Sequence, residues 1–466
     1  MPYDYDLAVI GVGPAGEKGA AQAAYYGKRV ACIEQAEQPG GAAVHTGTLP
    51  SKTLRETALF LSGFRQRQLY GLSVELKRDM AVPKLLTRKN AVRELEVARI
   101  VWNLERHGVP LLRGAARFVD AHTVELTGGG GTPRRITSEV FLVATGSRPH
   151  HPPDIPFDDE DVDDSDTVLQ IDRLPATMLV VGGGVIGCEY ASMFAAMGVA
   201  VTLVEGRPKL LSFLDSEIGE RLRGAMQALG VTFHLGQTTQ SLRRVAGRGL
   251  VTTLSNGLEI VAEKVLASSG RSGATEGLGL AAAGVEVDKR GYVHVDGDYR
   301  TAVPSIYAAG DVIGFPALAS TAMEQARVAV CHAFGFTYKR QMSHLLPFGI
   351  YTIPEVSCIG LSEDDAKQKG LDHVVGRAFY RDNARGTIVG DSDGVIKLVV
   401  ERATRRLLGC HCIGERASEL LHIGQAVMMT DGTIDVFIEM VFNYPTLSEM
   451  FKYAAYDALG AIARKS

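Results

Sequence analysis

The chain has 466 residues, of which 46% are hydrophobic and 22% are charged, as in ordinary folded proteins. This length predicts about three domains, at roughly 150 residues each. The net charge of -4 argues against a nucleic-acid partner, which needs concentrated Lys and Arg. No apolar run reaches the roughly 18 residues of a membrane helix, and the N-terminus has no signal-peptide pattern. These features predict a soluble cytoplasmic protein with no membrane association.

The N-terminal residues predict a strand, a glycine-rich turn and a helix in direct succession. The predicted strand at residues 5–10 is followed by an alanine-rich helix that ends near residue 26 and by a second strand at residues 29–34. The turn reads Gly-Val-Gly-Pro-Ala-Gly, and its glycines are Gly11, Gly13 and Gly16. Glycines at this spacing allow a tight turn and close approach of a pyrophosphate, which the helix N-terminus then binds. Glu34 ends the second strand, where a carboxylate is placed to hold a ribose diol.

The same pattern returns in the middle of the chain. A strand at residues 178–181 leads into a glycine turn, a helix that ends near residue 197, and a strand at residues 200–205. The glycines of this second fingerprint are Gly182, Gly184 and Gly187, and Glu205 has the place of Glu34. Two such units suggest two dinucleotides bound side by side, one of which accepts a hydride from the other.

The segments around these units carry weaker signals. Residues 128–131 predict a flexible hairpin loop without chemistry. An acidic stretch with prolines, residues 154–166, predicts a crossover between domains, and a solvated charge run is the alternative. Beyond residue 345, strands at residues 395–401 and 407–413 followed by helices predict a separate α+β domain without nucleotide motifs.

Further motifs occur in order along nearly the whole chain, and they are Gly40-Gly41, Gly47-Thr48-Leu49-Pro50-Ser51-Lys52, Ala144-Thr145-Gly146-Ser147-Arg148-Pro149, Gly270-Arg271, Ile306-Tyr307-Ala308-Ala309-Gly310-Asp311-Val312 and Tyr444-Pro445-Thr446-Leu447-Ser448-Glu449. Together they resemble those of the pyridine nucleotide–disulfide oxidoreductases, the flavoproteins related to lipoamide dehydrogenase and glutathione reductase. The resemblance implies an α/β fold with two Rossmann-like dinucleotide-binding domains and a C-terminal α+β dimerisation domain. It implies an FAD-binding domain at residues 1–150 and 275–344, an NAD(P)-binding domain at 151–274, an interface domain at 345–466, and a homodimer.

The resemblance also implies roles for individual residues. The first fingerprint would bind FAD and the second NAD(H) or NADP(H). Asp311 would hydrogen-bond the flavin ribityl chain, and the helix beginning near Ala319 would point its N-terminus at the pyrimidine end of the flavin. Lys52 and Glu189 would form an ion pair beside flavin N5, the atom that takes the hydride. Further candidate cofactor contacts are Gln35, Gly41, Thr145, Gly146 and Gly270.

The residues that reduce disulfides in this family are missing. Its disulfide-reducing members carry a Cys-x4-Cys pair after the Gly-Gly doublet, and here those positions are Ala43 and Thr48. Neither side chain forms a thiolate, so neither attacks a disulfide. The family's C-terminal His–Glu pair is Tyr444 and Glu449 here, and a phenol with a pKa near 10 is a poor proton shuttle. We therefore expect no disulfide reductase activity, and Tyr444 and Glu449 stay candidate catalytic residues.

The six cysteines favour a reducing compartment over a disulfide framework, and we interpret most of them as buried structural thiols. Cys410 and Cys412 alternate along a predicted strand and are not placed to form a disulfide. No Cys-x2-Cys pair or paired histidine spacing occurs, so we expect no metal site. His45 and His422 are interpreted as structural histidines, although His45 lies in the loop that the resemblance places beside the flavin.

Within the family the chain is most similar to the soluble pyridine nucleotide transhydrogenases, which share the Thr48 and Tyr444 positions. This similarity implies hydride transfer from NAD(P)H through FAD to a second nicotinamide nucleotide. The alternative is an NAD(P)H:quinone or acceptor reductase of the diaphorase kind, and a third hypothesis is a non-catalytic flavin- and NADH-binding sensor. Glu205 suits the 2′-OH of NAD and repels a 2′-phosphate, whereas Arg207 and Lys209 could offset that repulsion. The sequence thus leaves open the preferred nucleotide and the physiological electron acceptor.

Overall fold

The structure, a computed structural model, describes residues 3–63, 69–71, 78–128 and 132–464. The strands are β1 (Tyr5–Ile10), β2 (Val30–Glu34), β3 (Leu111–Arg113), β4 (Ala115–Asp120), β5 (Thr123–Thr127), β6 (Arg134–Val143), β7 (Ser147–Pro149), β8 (Val162–Asp163), β9 (Thr177–Val181), β10 (Ala200–Glu205), β11 (Thr232–Leu235), β12 (Thr239–Val245), β13 (Gly249–Leu254), β14 (Glu259–Ala262), β15 (Lys264–Ala267), β16 (Arg271–Gly273), β17 (Ile306–Ala308), β18 (Phe348–Ile350), β19 (Val356–Gly360), β20 (His373–Phe379), β21 (Val395–Glu401) and β22 (Leu407–Ile413). The helices are α1 (Pro14–Tyr25), α2 (Gly41–His45), α3 (Thr48–Ser62), α4 (Arg78–Arg106), α5 (Val185–Ala196), α6 (Ser216–Ala228), α7 (Ala319–Phe334), α8 (Glu363–Gln368), α9 (Ala384–Val389), α10 (Ala417–Met428), α11 (Asp435–Glu439) and α12 (Met450–Ala463).

The first sheet has the strand order β3-β2-β1-β6-β5-β4, with β17 paired to β6. Strands β1, β2, β3, β6 and β17 pair in parallel, so their carboxyl ends lie along one edge. The central strand β1 is buried on both faces, because side chains alternate along a strand. Leu7 and Val9 pack in one hydrophobic core with α1 and α7, whereas Ala8 and Ile10 pack in another with β4 and β5.

The second sheet repeats this arrangement with strands β11-β10-β9-β15-β8, all parallel. The β9–α5–β10 segment has the same order of elements as β1–α1–β2, so the predicted internal repeat is confirmed. A separate antiparallel sheet, β12-β13-β14, lies between β11 and β15 in the chain. We call the segments around the first and second sheets the first and second nucleotide units.

A two-stranded antiparallel ribbon joins the two nucleotide units. The chain leaves the first unit through β7 and returns from the second through β16. These strands pair with each other, with Ser147 opposite Gly273 and Pro149 opposite Arg271. Both chain connections between the two nucleotide units therefore pass through this ribbon.

The acidic stretch at residues 154–166 is a solvated charge run only in its first part, where Asp154, Asp158 and Glu160 are exposed. Asp161, Asp163 and Asp164 are buried. The guanidinium of Arg244 lies 2.8 Å from Asp161, and the ammonium of Lys264 lies 3.1 Å from Asp163. Asp161 and Asp163 are buried because cations from the second nucleotide unit pair with them, as buried charges require. The stretch leads from the ribbon into β9, as the predicted crossover between domains does.

The C-terminal region is built on an antiparallel sheet of order β18-β19-β22-β21-β20, with α10 and α12 packed against it. The predicted strands at residues 395–401 and 407–413 are confirmed as β21 and β22. A hydrophobic core shared with the second nucleotide unit contains Met178 and Leu203 together with Ile350 and Val395. The C-terminal sheet is therefore packed directly onto the second unit.

A buried lysine ties these two regions together. Lys397 on β21 is 1% exposed, and its ammonium lies 2.8 Å from both Asp215 and Glu363 and 3.2 Å from Glu217. Asp215 also caps α6 by accepting the N–H groups of Glu217 and Ile218. Burial raises the pKa of Glu363, but hydrogen bonds from Lys367 and Lys397 outweigh this effect and lower the pKa to about 2.

No helix in the described ranges is both long enough and apolar enough to cross a membrane. Strands β5 and β6 form the antiparallel hairpin that the glycine-rich loop at residues 128–131 predicts. Residues 129–131 of that loop lie outside the described residues.

We predict that Lys397→Met destabilises the protein by about 3–5 kcal/mol near neutral pH, because it leaves buried carboxylates without their cation. A group whose folded pKa is depressed contributes stability above its unfolded pKa and loses that contribution as the pH falls through its folded pKa. For Glu363 this window runs from 4.5 down to about 2. The deficit of Lys397→Met should therefore shrink over that range, as measured by the midpoint of urea unfolding in circular dichroism.

The matched control is Lys367→Met, which removes the 61% exposed partner of the same Glu363. An exposed ion pair contributes about 0–1 kcal/mol, so this variant should unfold close to the wild type. A deficit in Lys397→Met that stays constant over the acid range would contradict the account of the buried network.

Candidate active site

A cleft of about 720 Å³ runs along the carboxyl edge of the first sheet and reaches α5 of the second nucleotide unit. Ligands of open α/β sheets bind at this edge. The candidate residues that line the cleft are Gly11, Gly13, Glu34, Gln35, Gly41, Lys52, Thr145, Gly146, Glu189, Asp311 and Ala319. The candidates outside its lining are Gly16, Gly182, Gly184, Gly187, Glu205, Arg207, Gly270, Tyr444 and Glu449.

The glycines of the first fingerprint are required by the packing of the turn. Gly11 has a φ of 92°, and a Cβ on it would lie 2.6 Å from the carbonyl oxygen of Ala144. A Cβ on Gly16 would lie 1.9 Å from the carbonyl oxygen of Gly11. Gly16 therefore brings α1 close to β1, while Gly11 and Gly13 leave backbone exposed to the cleft. The second unit repeats these contacts. Gly182 has a φ of 103°, and a Cβ on Gly187 would lie 1.9 Å from the carbonyl oxygen of Gly182.

The acidic residue after each fingerprint supports its own glycine turn. Glu34 accepts the N–H of Val12 at 2.8 Å and the N–H of Ala36 at 3.0 Å. Glu205 likewise accepts the N–H of Gly183 at 2.7 Å. Each carboxylate oxygen of Glu34 has a second lone pair, so its contacts leave acceptors for a ribose hydroxyl.

Glu205 has a further partner that Glu34 lacks. The guanidinium of Arg207 lies 3.0 Å from one carboxylate oxygen of Glu205 and 3.3 Å from the other. Burial raises the pKa of Glu205, but hydrogen bonds from the Arg207 side chain, from its N–H and from Gly183 outweigh this and lower the pKa. Lys209 does not join the pair, because its ammonium donates to the hydroxyl of Ser216 at 2.9 Å. The second unit therefore presents a carboxylate and a guanidinium together at the end of β10.

Three of the helix N-termini that lack a side-chain cap follow the motifs singled out above. These are α1 after Gly13, α5 after Gly184 and α7 after Leu318. By contrast, α6 is capped by Asp215. Uncapped N-termini present free N–H groups and a partial positive charge, which suit phosphates or the electron-rich end of a ring. The first turns of α1 and α7 line the cleft.

Two buried hydroxyls in the cleft lack a partner within the described chain. They are Oγ1 of Thr145 and the phenol of Tyr190, and both residues line the cleft. Buried polar atoms in native proteins are nearly always hydrogen-bonded. The unpaired hydroxyls, the uncapped helices and the glycine turn together fit a large polar ligand such as a dinucleotide.

The expected ion pair between the two nucleotide units is confirmed. The ammonium of Lys52 on α3 lies 2.7 Å and 3.0 Å from the carboxylate oxygens of Glu189 on α5. Glu189 also accepts the N–H of Tyr351 at 2.9 Å, and the ring of Tyr351 lies 4.9 Å from the Lys52 ammonium. A cation over an aromatic face is attracted by it. Burial raises the pKa of Tyr351, so its phenol stays neutral.

Tyr351 and Tyr190 are cleft residues that sequence reasoning missed. Tyr351 lies nearly 300 residues after Lys52 in the chain, and it reaches Lys52 only because β18 packs beside α5. Tyr190 follows Glu189, but nothing in its neighbours in the chain predicts that its hydroxyl is left unpaired. Neither residue has a local pattern that could have identified it.

The cleft has no thiol in the described part of the chain. The residues at the family's cysteine positions, Ala43 and Thr48, line it beside Lys52. The cysteines are all free and buried, and none lines the cleft; they are Cys32, Cys188, Cys331, Cys358, Cys410 and Cys412. Burial raises the pKa of Cys358 to about 12 and raises the pKa of Cys188 well above its usual range. The sulfurs of Cys410 and Cys412 are 4.0 Å apart, about twice the length of a disulfide bond.

The C-terminal candidates are not brought into the cleft of their own chain. Tyr444 is 73% exposed. Glu449 accepts a hydrogen bond from the hydroxyl of Tyr453 at 3.2 Å. The contact of Tyr444 and Glu449 with a flavin therefore stays a prediction that involves a second subunit.

The two singled-out histidines have structural partners. His45 is hydrogen-bonded to the carbonyl of Pro39 at 3.0 Å, and His422 to the side chain of Gln425 at 2.7 Å. Within the described ranges, no group of three or more His, Cys, Asp or Glu side chains is arranged to hold a metal ion.

Comparison with known proteins places the chain in a family. Residues 5–326 match the model described as pyridine nucleotide-disulphide oxidoreductase, and residues 346–455 match the dimerisation domain of the same family. The chain belongs to the pyridine nucleotide-disulphide oxidoreductases. It is accordingly an FAD-dependent oxidoreductase that uses nicotinamide nucleotides, and its dimerisation domain indicates a homodimer.

Relatives and solved structures agree with this assignment. A soluble pyridine nucleotide transhydrogenase of Mycobacterium tuberculosis is 46% identical over 457 residues, which cover 98% of this chain and 97% of the relative. One of Pseudomonas putida is 40% identical over 465 residues, 99% of each chain. The structure of LpdA from Mycobacterium tuberculosis superposes with a TM-score of 0.89 at 27% identity, covering 97% of this chain and 99% of that one. The Cu(II) complex of the HOCl-induced flavoprotein disulfide reductase RclA from Escherichia coli superposes with a TM-score of 0.87 at 26% identity, covering 98% of this chain and 99% of that one. The predicted fold class is confirmed.

Proposed function

We propose that this chain transfers hydride between nicotinamide nucleotides in an FAD-dependent reaction, as the names of its transhydrogenase relatives suggest. The observation that carries the proposal is the cleft itself. It holds the Lys52–Glu189 pair but has Ala43 and Thr48 where a dithiol would accept electrons. Bound FAD would supply a carrier that takes hydride from one nicotinamide and gives it to another.

The residues that line the cleft would hold FAD along its length. The turn at Gly11 and Gly13 and the N-terminus of α1 would bind the pyrophosphate. Glu34 would accept the ribose hydroxyls, and Asp311 the ribityl hydroxyls. The uncapped N-terminus of α7, at Ala319, would stabilise negative charge at the pyrimidine end of the flavin. The unpaired hydroxyl of Thr145 supports this proposal, since it needs a partner.

Lys52 would provide a fixed positive charge beside the reacting ring. Its ammonium cannot rotate freely, because both oxygens of Glu189 accept from it and Tyr351 lies against it. Glu189 is itself held by the N–H of Tyr351. A charge oriented before the reaction stabilises developing negative charge without reorganisation. The pair also joins α5 of the second unit to the first, which sets the distance between the two nucleotides.

The second nucleotide unit would bind the nicotinamide nucleotide through the turn at Gly182 and the N-terminus of α5. Glu205 would accept the 2′-OH of NAD(H). The guanidinium of Arg207 would bind the 2′-phosphate of NADP(H), which it matches in charge and in fork geometry. An enzyme that moves hydride between the two nucleotides needs both capacities in one place, and the Glu205–Arg207 pair supports that use.

We propose residues 1–150 and 275–344 as the FAD-binding domain, 151–274 as the NAD(P)-binding domain and 345–466 as the interface domain. In the homodimer, the exposed segment at Tyr444 would cover the partner's flavin, with Glu449 behind it. Val441, which is 94% exposed, would be buried by the same contact. Free thiols throughout the described chain support a location in the reducing cytoplasm.

The second candidate function is NAD(P)H:quinone reduction, which the small side chains of Ala43 and Thr48 in the cleft favour because they leave room for an aromatic acceptor.

Purified holoenzyme should reduce thio-NAD⁺ with NADPH or NADH faster than it reduces a benzoquinone. Lys52→Met should lower the rate of thio-NAD⁺ reduction by about a hundredfold, the loss typical of one oriented electrostatic group. Steady-state absorbance assays measure both.

The control for this assay is Lys28→Met, which removes a cation that lies over Phe334 away from the cleft. It should retain the wild-type rate. Negligible thio-NAD⁺ reduction beside rapid quinone turnover would establish the second candidate and end the first.

The Glu205–Arg207 pair yields a separate prediction. Arg207→Gln should raise the dissociation constant of NADPH by about tenfold to a hundredfold, because a charge-assisted contact to phosphate is lost. It should change that of NADH little. Glu205→Gln should raise the dissociation constant of NADH by about tenfold and leave that of NADPH unchanged. Flavin reduction in stopped flow at several nucleotide concentrations gives both constants.

Lys209→Gln serves as the matched control, since Lys209 is two residues from Arg207 but its ammonium contacts Ser216. Equal losses for NADH and NADPH in Arg207→Gln would show that Arg207 does not discriminate between them.

A further inference from the structure

The side chain of Arg271 is placed at the ribbon that joins the nucleotide units, and it lines the cleft. It is largely buried, with 18% of the side chain exposed. Its Nε donates to the hydroxyl of Ser147 at 2.7 Å, and one terminal nitrogen donates to the carbonyl of Ser147 at 2.8 Å. The backbone is held as well, since the hydroxyl of Tyr292 donates to the carbonyl of Arg271 at 2.7 Å. Both crossing strands are therefore joined by one guanidinium.

The contact with Ser147 fixes the direction of a second hydrogen bond. The hydroxyl of Ser147 donates to a carboxylate oxygen of Asp311 at 2.9 Å. A guanidinium only donates, so Ser147 must accept from Arg271 and turn its single hydrogen towards Asp311. The chain of donors runs from Arg271 through Ser147 to Asp311, and no hydrogen bond from the described residues occupies the other oxygen of Asp311, which is left for a ligand.

The opposite side of the guanidinium repeats this pattern in the crossover. The remaining terminal nitrogen donates to the hydroxyl of Ser165 at 3.2 Å and lies 3.5 Å from Asp166. Ser165 in turn donates to Asp166 at 3.1 Å. Residues 165 and 166 lead into the second sheet, and Ser165 lines the cleft. One cation thus directs two serine–carboxylate pairs, one in each nucleotide unit.

We propose that Arg271 is a positioning residue with two separable effects. Through Ser147 it orients the Asp311 carboxylate towards bound FAD. Through Ser165 and Asp166 it holds the second nucleotide unit at a set distance from the first. The inference rests on the proposed role of Asp311 in FAD binding, and it does not depend on which acceptor receives the hydride.

Lysine cannot take the place of Arg271. An ammonium is a single point from which donors radiate, whereas the guanidinium reaches Ser147 and Ser165 from opposite edges of one plane. Arg271→Lys keeps the charge and removes this geometry, so it tests the arrangement and not the presence of a cation.

The test measures two quantities in the full-length holoenzyme. The first is FAD affinity, from the recovery of flavin fluorescence on dilution, with no nicotinamide present. The second is the rate constant of flavin reduction by saturating NADH at saturating FAD. Ser147→Ala should weaken FAD by about tenfold and leave the rate constant within about twofold. Ser165→Ala and Asp166→Asn should keep FAD affinity and slow reduction by about tenfold, because small displacements of the reacting groups cost rate. Arg271→Lys should show both losses.

The double variant Ser147→Ala with Arg271→Lys separates a relay from two independent contacts. If Arg271 acts through Ser147, the double variant binds FAD no more weakly than Arg271→Lys alone. The neighbouring Ser272→Ala, whose hydroxyl contacts His150 and not the guanidinium, should match the wild type in both measurements. Three results would each overturn the proposal. They are a double variant in which the two losses of FAD affinity multiply, a Ser147→Ala variant with wild-type FAD affinity, and an Asp166→Asn variant that loses as much FAD affinity as Ser147→Ala. Failure of nicotinamide-to-nicotinamide transfer would leave these FAD measurements unaffected, so the two failures are distinguishable.

Discussion

The ion pair between Lys52 and Glu189 is the contact on which the rest of the cleft depends. Its cation comes from the first nucleotide unit and its carboxylate from the second, so the pair joins the units at the site they share. Glu189 is 9% exposed on its side chain and would be costly to bury without its partner. Tyr351 from the C-terminal region lies against both groups, which brings the third part of the chain to the same point. A cleft built in this way presents one oriented cation to whatever ring lies beside it.

The loss of the thiol pair changes what that cation serves. In a disulfide reductase, electrons pass from a flavin to a dithiol on its other side. Here Ala43 and Thr48 occupy those positions, and the described cysteines are buried, with burial raising the pKa values of Cys188 and Cys358. We therefore propose that hydride enters and leaves the cleft by way of nicotinamide nucleotides. The Glu205–Arg207 pair and the Arg271 contacts are consistent with this route, since both concern how nucleotides are held.

The sequence predicts those features that arise from local patterns. The β1–α1–β2 unit and its repeat follow from glycine spacing and strand periodicity, and β21 and β22 follow from their apolar runs. The Lys52–Glu189 pair is predicted only through the family resemblance, since the two residues are 137 positions apart. The buried partners of Asp161 and Asp163, the ring of Tyr351 and the two-sided contacts of Arg271 are not predicted at all. Each depends on side chains from distant segments that meet only when the sheets pack. From the sequence alone, these residues are indistinguishable from ordinary surface charges or core aromatic residues.

We expect electrons to enter and leave this protein through FAD alone, without a sulfur relay. Anaerobic titration of the holoenzyme with NADH, followed by visible absorbance, tests it most directly. If FAD is the redox centre by itself, one equivalent of NADH per FAD should reduce it completely, with no long-wavelength thiolate–flavin band at any point. Uptake of a second equivalent, or the appearance of that band, would contradict it.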